Sequence, residues 1–383
     1  MKNFTFNSAS SICVNSGGSK RLADYVGNFN SNKVLLITDP GIIKNGLAQN
    51  SIDSLTKSGI QIKIFSNVIA DPPVSVIHGA VHAAIEFKAD CIIGFGGGSS
   101  MDVAKLVALV AKTGCKLDDI YGVNVAKGSR LNLILIPTTS GTGSEVTPIS
   151  IVTTGENEKK GVVSPLLLPD LALLDAELTL GLPSHITAAT GIDAMVHAIE
   201  AYTGKIHKNP ISDCLAKEAL RLIANSIDNA CSDGNNIAAR EDMLLGACLA
   251  GMSFANSPVG AVHALAYPIG ARFHVPHGLS NSLVLPYVAA FNMESVGSMY
   301  SEIFDIISPA NSGDTKSKNE NFILYLKNLG SRLGLPSTLR EVGIKESDIN
   351  SLAKDAMNQS RLLVNNPRDV DLSSAISIYK EAL

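Results

Sequence analysis

No apolar run in this 383-residue sequence approaches the roughly 18–20 residues that a bilayer-spanning helix needs. The opening stretch, Met1 to Asn7, lacks the apolar core of a signal peptide. The six cysteines, at positions 13, 91, 115, 214, 231 and 248, form no CxxC pair and no regular framework. They read as reduced thiols, and a cytoplasmic protein is the expectation. Charge is sparse at 17%, and 31 basic against 35 acidic residues leave a net of −4. With neither sign dominant, nucleic acid is not expected as the main ligand. Membrane, fibrous, disordered and disulfide-scaffold classes are thereby set aside. What remains is a chain of two or three domains' length that can bury a large core without disulfides.

The first 180 residues alternate strand-like and helical stretches. Lys33 to Thr38 is a continuous apolar run that reads as a buried strand, closed by an Asp39-Pro40-Gly41 turn. Further strands are expected at Ile60–Phe65, Asp90–Phe95 and Leu131–Ile136, with helices at Val76–Lys88 and Ser99–Lys112. This order predicts a parallel sheet with helices on both faces. Beyond Leu182-Pro183 apolar residues recur every three or four positions. Helices are predicted over Ser184–Gly204, Ile211–Asn229, Ile237–Ser253, Val259–Tyr267 and Leu279–Phe291, with a polar loop at Ser308–Ser317. The expectation is an α/β domain over 1–183, an all-helical domain over 184–383, and a cleft between them.

Gly94-Phe-Gly-Gly-Gly-Ser-Ser100 follows a strand and opens a helix. Consecutive glycines allow close approach to a pyrophosphate, and the helix start supplies free N–H groups. A ligand-free strand–helix turn is an equal alternative, because the run is not G-x-G-x-x-G. Asp39, at the end of an earlier strand, suits the two hydroxyls of a ribose and would repel a 2′-phosphate. Taken alone it is more simply a turn residue. Pro137-Thr-Thr-Ser-Gly-Thr-Gly-Ser-Glu145 places five hydroxyls and two glycines after the fourth strand, more than a plain turn requires.

Asp193 and His197 are four apart on an apolar helical segment and so share one face. A lone buried Asp is costly, so a cation beside it competes evenly with an ordinary Asp–His hydrogen bond. His263 stands among small and apolar residues, and His277 follows a proline at a predicted helix start. One carboxylate and three imidazoles suit Fe(II), Zn or Mn better than a thiolate site would. An open position on such an ion would polarise an alcohol or carbonyl oxygen. His185, His207 and His274 read as ordinary core or cap residues.

Four segments together resemble the iron-dependent (group III) alcohol dehydrogenases over essentially the whole chain. They are Gly96-Gly-Gly-Ser-Ser-Met-Asp102-Val-Ala-Lys105, Pro137 to Glu145, Gly191-Ile-Asp193-Ala-Met-Val-His197-Ala-Ile-Glu200, and His263 through His277-Gly278. The resemblance implies a modified Rossmann domain followed by a helical domain, in the architecture shared with dehydroquinate synthase, and a homodimer. It places the metal, Fe(II) foremost with Zn the alternative, on Asp193, His197, His263 and His277. It places NAD on Asp39, Gly96, Gly97, Gly98, Ser99, Asp102, Thr138, Thr139, Thr142 and Lys159, where Lys160 competes with its neighbour. Phe254 falls near the substrate. Many alcohol-oxidising members carry a second histidine four residues after the third ligand, and this chain has Tyr267.

The implied reaction moves hydride between NAD and a small primary alcohol or aldehyde. A hydroxyacid–oxoacid transhydrogenase and a metal-free reductase are the rivals within the family, and the reductase should not keep four intact ligands. A lyase of the dehydroquinate-synthase type is the rival outside it. The lyase needs basic residues for a phosphorylated substrate, and the segments around Asp193 and His263 are poor in Lys and Arg.

Overall fold

The continuous apolar runs of the N-terminal half form the centre of a six-stranded parallel sheet in the computed structural model. The structure describes residues 3–155, 158–310 and 313–383, apart from the side chain of Glu158. These fall into two compact units, residues 7–180, and residues 181–383 with the segment 3–6.

In the first unit β1 (Ile12–Val14), β2 (Lys33–Ile37), β3 (Gln61–Phe65) and β4 (Cys91–Gly96) join β6 (Asn132–Pro137) and β9 (Leu171–Leu174). The order across the sheet is β1-β9-β6-β4-β2-β3. Val34 to Ile37 and all of β4 are buried, because a central parallel strand is covered on both faces and selects apolar residues throughout. The chain leaves β2 for β3 on one side and returns to β4 on the other. The strand order therefore reverses between β2 and β4, where open α/β sheets bind their ligands beyond the carboxyl ends. Helices α1 (Leu22–Gly27), α2 (Pro40–Lys44), α3 (Gln49–Lys57), α4 (Val74–Phe87) and α5 (Gly98–Thr113) connect these strands. A small second sheet contains β5 (Gly122–Val123), β7 (Ile149–Thr154) and β8 (Glu158–Val163), in the order β5-β8-β7.

Two differences from the sequence expectation have clear causes. Asp39-Pro40-Gly41 is a helix start, not a turn. The Asp39 side chain accepts from the N–H groups of Gly41 and Ile42, and Pro40 occupies the first position, where no N–H is missed. Strands β1, β5, β9 and the β7–β8 pair are additions to the expected set; β1, β5 and β9 span only two to four residues, too few positions to establish a period.

The second unit is helical: α6 (Ser184–Thr203), α7 (Pro210–Ser232), α8 (Ile237–Asn256), α9 (Ala261–Phe273), α10 (His277–Ile307), α11 (Thr315–Arg332), α12 (Ile349–Met357), α13 (Ser360–Leu363) and α14 (Leu372–Glu381). Helix α6 is buried along most of its length and packs against α7, α8 and α10. Helix α9 runs past the expected end at Tyr267, through Pro268, to Phe273, where His274 caps it in the left-handed conformation. Helix α10 continues beyond Phe291 to Ile307, with a break in helical geometry at Val296. The loop expected at Ser308–Ser317 ends earlier, at the Asp314 cap of α11, and its residues Asn311 and Ser312 lie outside the described residues. No single helix among the described residues is long and apolar enough to cross a membrane.

Candidate metal centre and nucleotide cradle

Three helices each present polar side chains at helical spacing to one buried point. Helix α6 carries Asp193, His197 and Glu200 on one stripe, α9 carries His263 and Tyr267, and α10 carries His277 and Asn281. The start of α10 reaches α6 because residue 278 is glycine. A Cβ there would lie 2.2 Å from the Ala189 carbonyl oxygen, so no other residue allows this approach.

One donor atom each from Asp193, His197, His263 and His277 lies within 4.8 Å of the other three. From Asp193 Oδ1 the Nε2 atoms of His277, His263 and His197 are 3.5, 3.8 and 4.0 Å away. Two donors each about 2.1 Å from one ion are at most ~4.2 Å apart, so all three spans accept a shared ion. Asp193, His197 and His263 are buried, whereas the His277 side chain is 43% exposed and marks the open side. Burial pushes the Asp193 carboxyl up. The imidazoles of His197, His277 and His263 and the Asn281 amide outweigh this and hold it below its ordinary range.

Asn281 supplies the test of fit. Its Nδ2 donates to Asp193 Oδ1 at 2.6 Å and lies 3.3 Å from Nε2 of both His263 and His277. A carboxylate oxygen and two imidazole nitrogens converge on this one amide nitrogen, and Asn281 Oδ1 is buried with no hydrogen-bond partner. Converging lone pairs with too few protons between them are what a divalent cation satisfies, so the donor set fits a metal.

Two aromatic side chains border the cluster. Phe254 stacks on His197 with centroids 4.2 Å apart. Tyr267 meets His263 edge-on at 6.3 Å and His277 at 5.7 Å.

In the α/β unit the nucleotide candidates gather at the carboxyl ends of β2, β4 and β6. Gly96 pairs with Pro137 in the ladder, and its carbonyl accepts from the Thr138 N–H at 3.0 Å. Gly96 has φ +147°, and a Cβ on it would lie 2.8 Å from Ser100 Oγ and 3.4 Å from Asp39 Oδ2. The cap interactions of Asp39 use Oδ1, which leaves Oδ2 directed toward Gly96. Thr139 Oγ1 lies 3.7 Å from the Cβ position of Gly97, and Thr142 Oγ1 lies 3.1 Å from that of Gly98. Helix α5 starts on Gly97 with no side-chain cap, so the first N–H groups, including that of Ser99, are available to an anion.

Two expected nucleotide residues have other contacts. Both oxygens of Asp102 accept from protein donors: Oδ1 from Ser144 Oγ and Lys105 Nζ, Oδ2 from the Ile151 N–H. Asp102 thus ties the hydroxyl-rich loop and β7 to α5. Lys159 is exposed on β8 with Nζ 2.6 Å from Asp71, while Lys160 lies over the Tyr121 ring. Sequence alone assigns no role to Asn281, nor to Glu200 beyond closing a motif. Their spacing, four after His277 and three after His197, is the signal that points to them.

A family model described as iron-containing alcohol dehydrogenase matches residues 9–176. Another, described as the C-terminal part of the Fe-containing alcohol dehydrogenase family, matches residues 187–383. The chain belongs to the iron-containing alcohol dehydrogenases. It is 39% identical over 371 residues to long-chain-alcohol dehydrogenase 1 of Geobacillus thermodenitrificans, covering 96% of this chain and 93% of that protein. A solved 1,3-propanediol oxidoreductase superposes with a TM-score of 0.96 at 30% identity, over 100% of both chains. Sulfoacetaldehyde reductase from Bifidobacterium kashiwanohense, solved in complex with NAD+, superposes with a TM-score of 0.89 at 27% identity, over 100% of this chain and 99% of that one. This alcohol dehydrogenase is an oxidoreductase that depends on a metal and is linked to NAD.

Proposed function

We propose that the enzyme interconverts a small primary alcohol and its aldehyde with NAD(H), using Asp193, His197, His263 and His277 to hold one Fe(II). The observation that carries this is the buried convergence of one carboxylate and three imidazole donors around Asn281 Nδ2. A divalent ion held there supplies Lewis acidity to an alcohol or carbonyl oxygen, and the nicotinamide supplies the hydride chemistry.

The chain's own residues do the rest. Asp193 provides the negative charge of the ligand set. His277, the most exposed ligand, borders the side from which substrate enters. Phe254 and Tyr267 wall the cluster with aromatic rings and exclude bulk water from it. Asp39 accepts from ribose hydroxyls through Oδ2, and the uncapped start of α5 with Thr138, Thr139 and Thr142 receives the pyrophosphate. Asp102 holds the threonine loop in place, and Lys159 assists only if it leaves Asp71.

The names of the relatives support the reaction class. A long-chain alcohol, 1,3-propanediol and sulfoacetaldehyde all present a primary alcohol or aldehyde carbon, but they fix no chain length. None of them supports a lyase or a transhydrogenase. The proposal extends to a cytoplasmic homodimer. The six free cysteines support the compartment, and the family resemblance supports the dimer.

The test is a panel of alcohols and aldehydes followed by NADH absorbance on protein of defined metal content. Metal-loaded protein turns over at least one primary alcohol, and chelator-stripped protein does not. His263→Ala loses both metal and turnover; full metal content and activity in that variant would overturn the ligand set.

A further inference from the structure

Glu200 is buried on α6, two turns beyond Asp193 and one beyond His197, and stands outside the proposed ligand set. Its Oε2 accepts from His263 Nδ1 at 2.7 Å, and its Oε1 accepts from the Val262 N–H at 2.7 Å. Helix α9 begins on Gly260, which has no side chain to cap it. Two residues from elsewhere cap it instead. Glu200 accepts at Val262, and Asn366 Oδ1 accepts from the Ala261 N–H. The carboxylate is closely confined, since a Cβ on Gly260 would lie 3.4 Å from Oε1.

This geometry dictates a tautomer. An ionised carboxylate only accepts, so the ring nitrogen facing it must carry the proton. His263 then has its hydrogen on Nδ1 and its lone pair on Nε2, the atom 3.8 Å from Asp193 Oδ1 and 3.3 Å from Asn281 Nδ2.

We infer that Glu200 is a positioning residue of the metal centre: it fixes His263 in the metal-binding tautomer and orientation. The inference rests on the metal reading above. Outer partners of this kind typically change metal affinity about 10–100-fold when replaced.

Glu200→Gln separates this role from capping. The glutamine oxygen still accepts from the Val262 N–H, while its NH2 faces His263 Nδ1 and favours the tautomer with hydrogen on Nε2. That tautomer leaves no lone pair on Nε2, the atom on the Asp193 side. Zn(II) and Co(II) affinities are measured by competition with a chromophoric chelator, beside metal-free thermal melts and 15N–1H spectra of the histidine side chains. The expected result is about 10–100-fold weaker binding of both ions, a metal-free melting temperature equal to wild type, and a His263 proton moved from Nδ1 to Nε2. Glu200→Asp, which keeps the charge, recovers part of the affinity. If the wild type takes up no divalent ion, the metal reading itself falls. If it does and Glu200→Gln matches its affinity, or loses metal-free stability in proportion to affinity, the assignment of Glu200 falls and that of the ligands stands.

Discussion

Asn281 Nδ2 donates to Asp193 Oδ1 at 2.6 Å, which locks the first turns of α10 onto the middle of α6. In the metal-free protein this amide is the group between the Asp193 carboxylate and the imidazoles of His263 and His277. Replacing it leaves a buried carboxylate facing imidazole lone pairs, at a cost of about 1–3 kcal/mol. Asn281→Ala is therefore expected to lower the melting temperature of the metal-free protein more than that of the loaded protein. Equal losses in the two forms, measured by scanning calorimetry, would restrict Asn281 to packing.

The sheet and the cluster of Asp193, His197, His263 and His277 are legible in the sequence for different reasons. Strands β2 and β4 are apolar on both faces because both are covered, so their composition alone reveals them. Asp193 and His197 share a helix face, and their spacing carries that information. The contact between Glu200 and His263 spans 63 residues, and no local period encodes it. Asn281 is similar: its spacing from His277 is visible, but its place among three helices depends on how closely Gly278 lets α10 approach. Pro268 reads as a helix stop, yet α9 continues through it. Loss of one backbone donor is outweighed by a helix that buries Leu265, Ala266 and Ile269.

The two oxygens of Asp39 face different ways, Oδ1 on the α2 cap and Oδ2 toward Gly96, where we propose that the ribose of NAD binds. A 2′-phosphate at that position would meet a like charge. If the repulsion costs ~2.7 kcal/mol, NAD is favoured about a hundredfold in kcat/KM. Asp39→Gly should bring the two cofactors within about tenfold of each other. The cap loss is small because glycine at such positions costs only a few tenths of a kcal/mol. Equal use of NAD and NADP by the parent enzyme would contradict the role.

Tyr267 lies one helical turn beyond His263, with its ring 5.7 Å from that of His277. A phenol is a poorer general base than imidazole near neutrality, so its contribution is a hydrogen bond to substrate or water and a narrower pocket. Tyr267→Phe is expected to lower kcat/KM for the best alcohol several-fold with unchanged metal content and NAD affinity. An unaltered kcat/KM would leave packing alone. A gain in Tyr267→His would show that this position tunes rate or substrate choice.

Glu145 closes the hydroxyl-rich loop and is buried, and burial pushes its carboxyl up from the ordinary 4.5 to about 7. A backbone hydrogen bond and the Lys105 ammonium oppose that shift without cancelling it. Lys105 is buried too, and burial holds its ammonium below the usual lysine range, with Asp102 and Glu145 opposing. Between pH ~4.5 and ~7 the folded protein thus binds more protons at Glu145 than the unfolded chain does. The stability this site contributes is complete below the lower value and is lost as pH rises through the upper one. The loss is roughly 3 kcal/mol, set by the gap between the two values. Glu145→Gln removes the titration, so its stability relative to wild type should rise by about that amount from pH ~4.5 to ~8. Urea unfolding of both proteins across that range measures the difference. Parallel pH profiles would mean that Glu145 stays ionised in the fold, stabilised by Lys105.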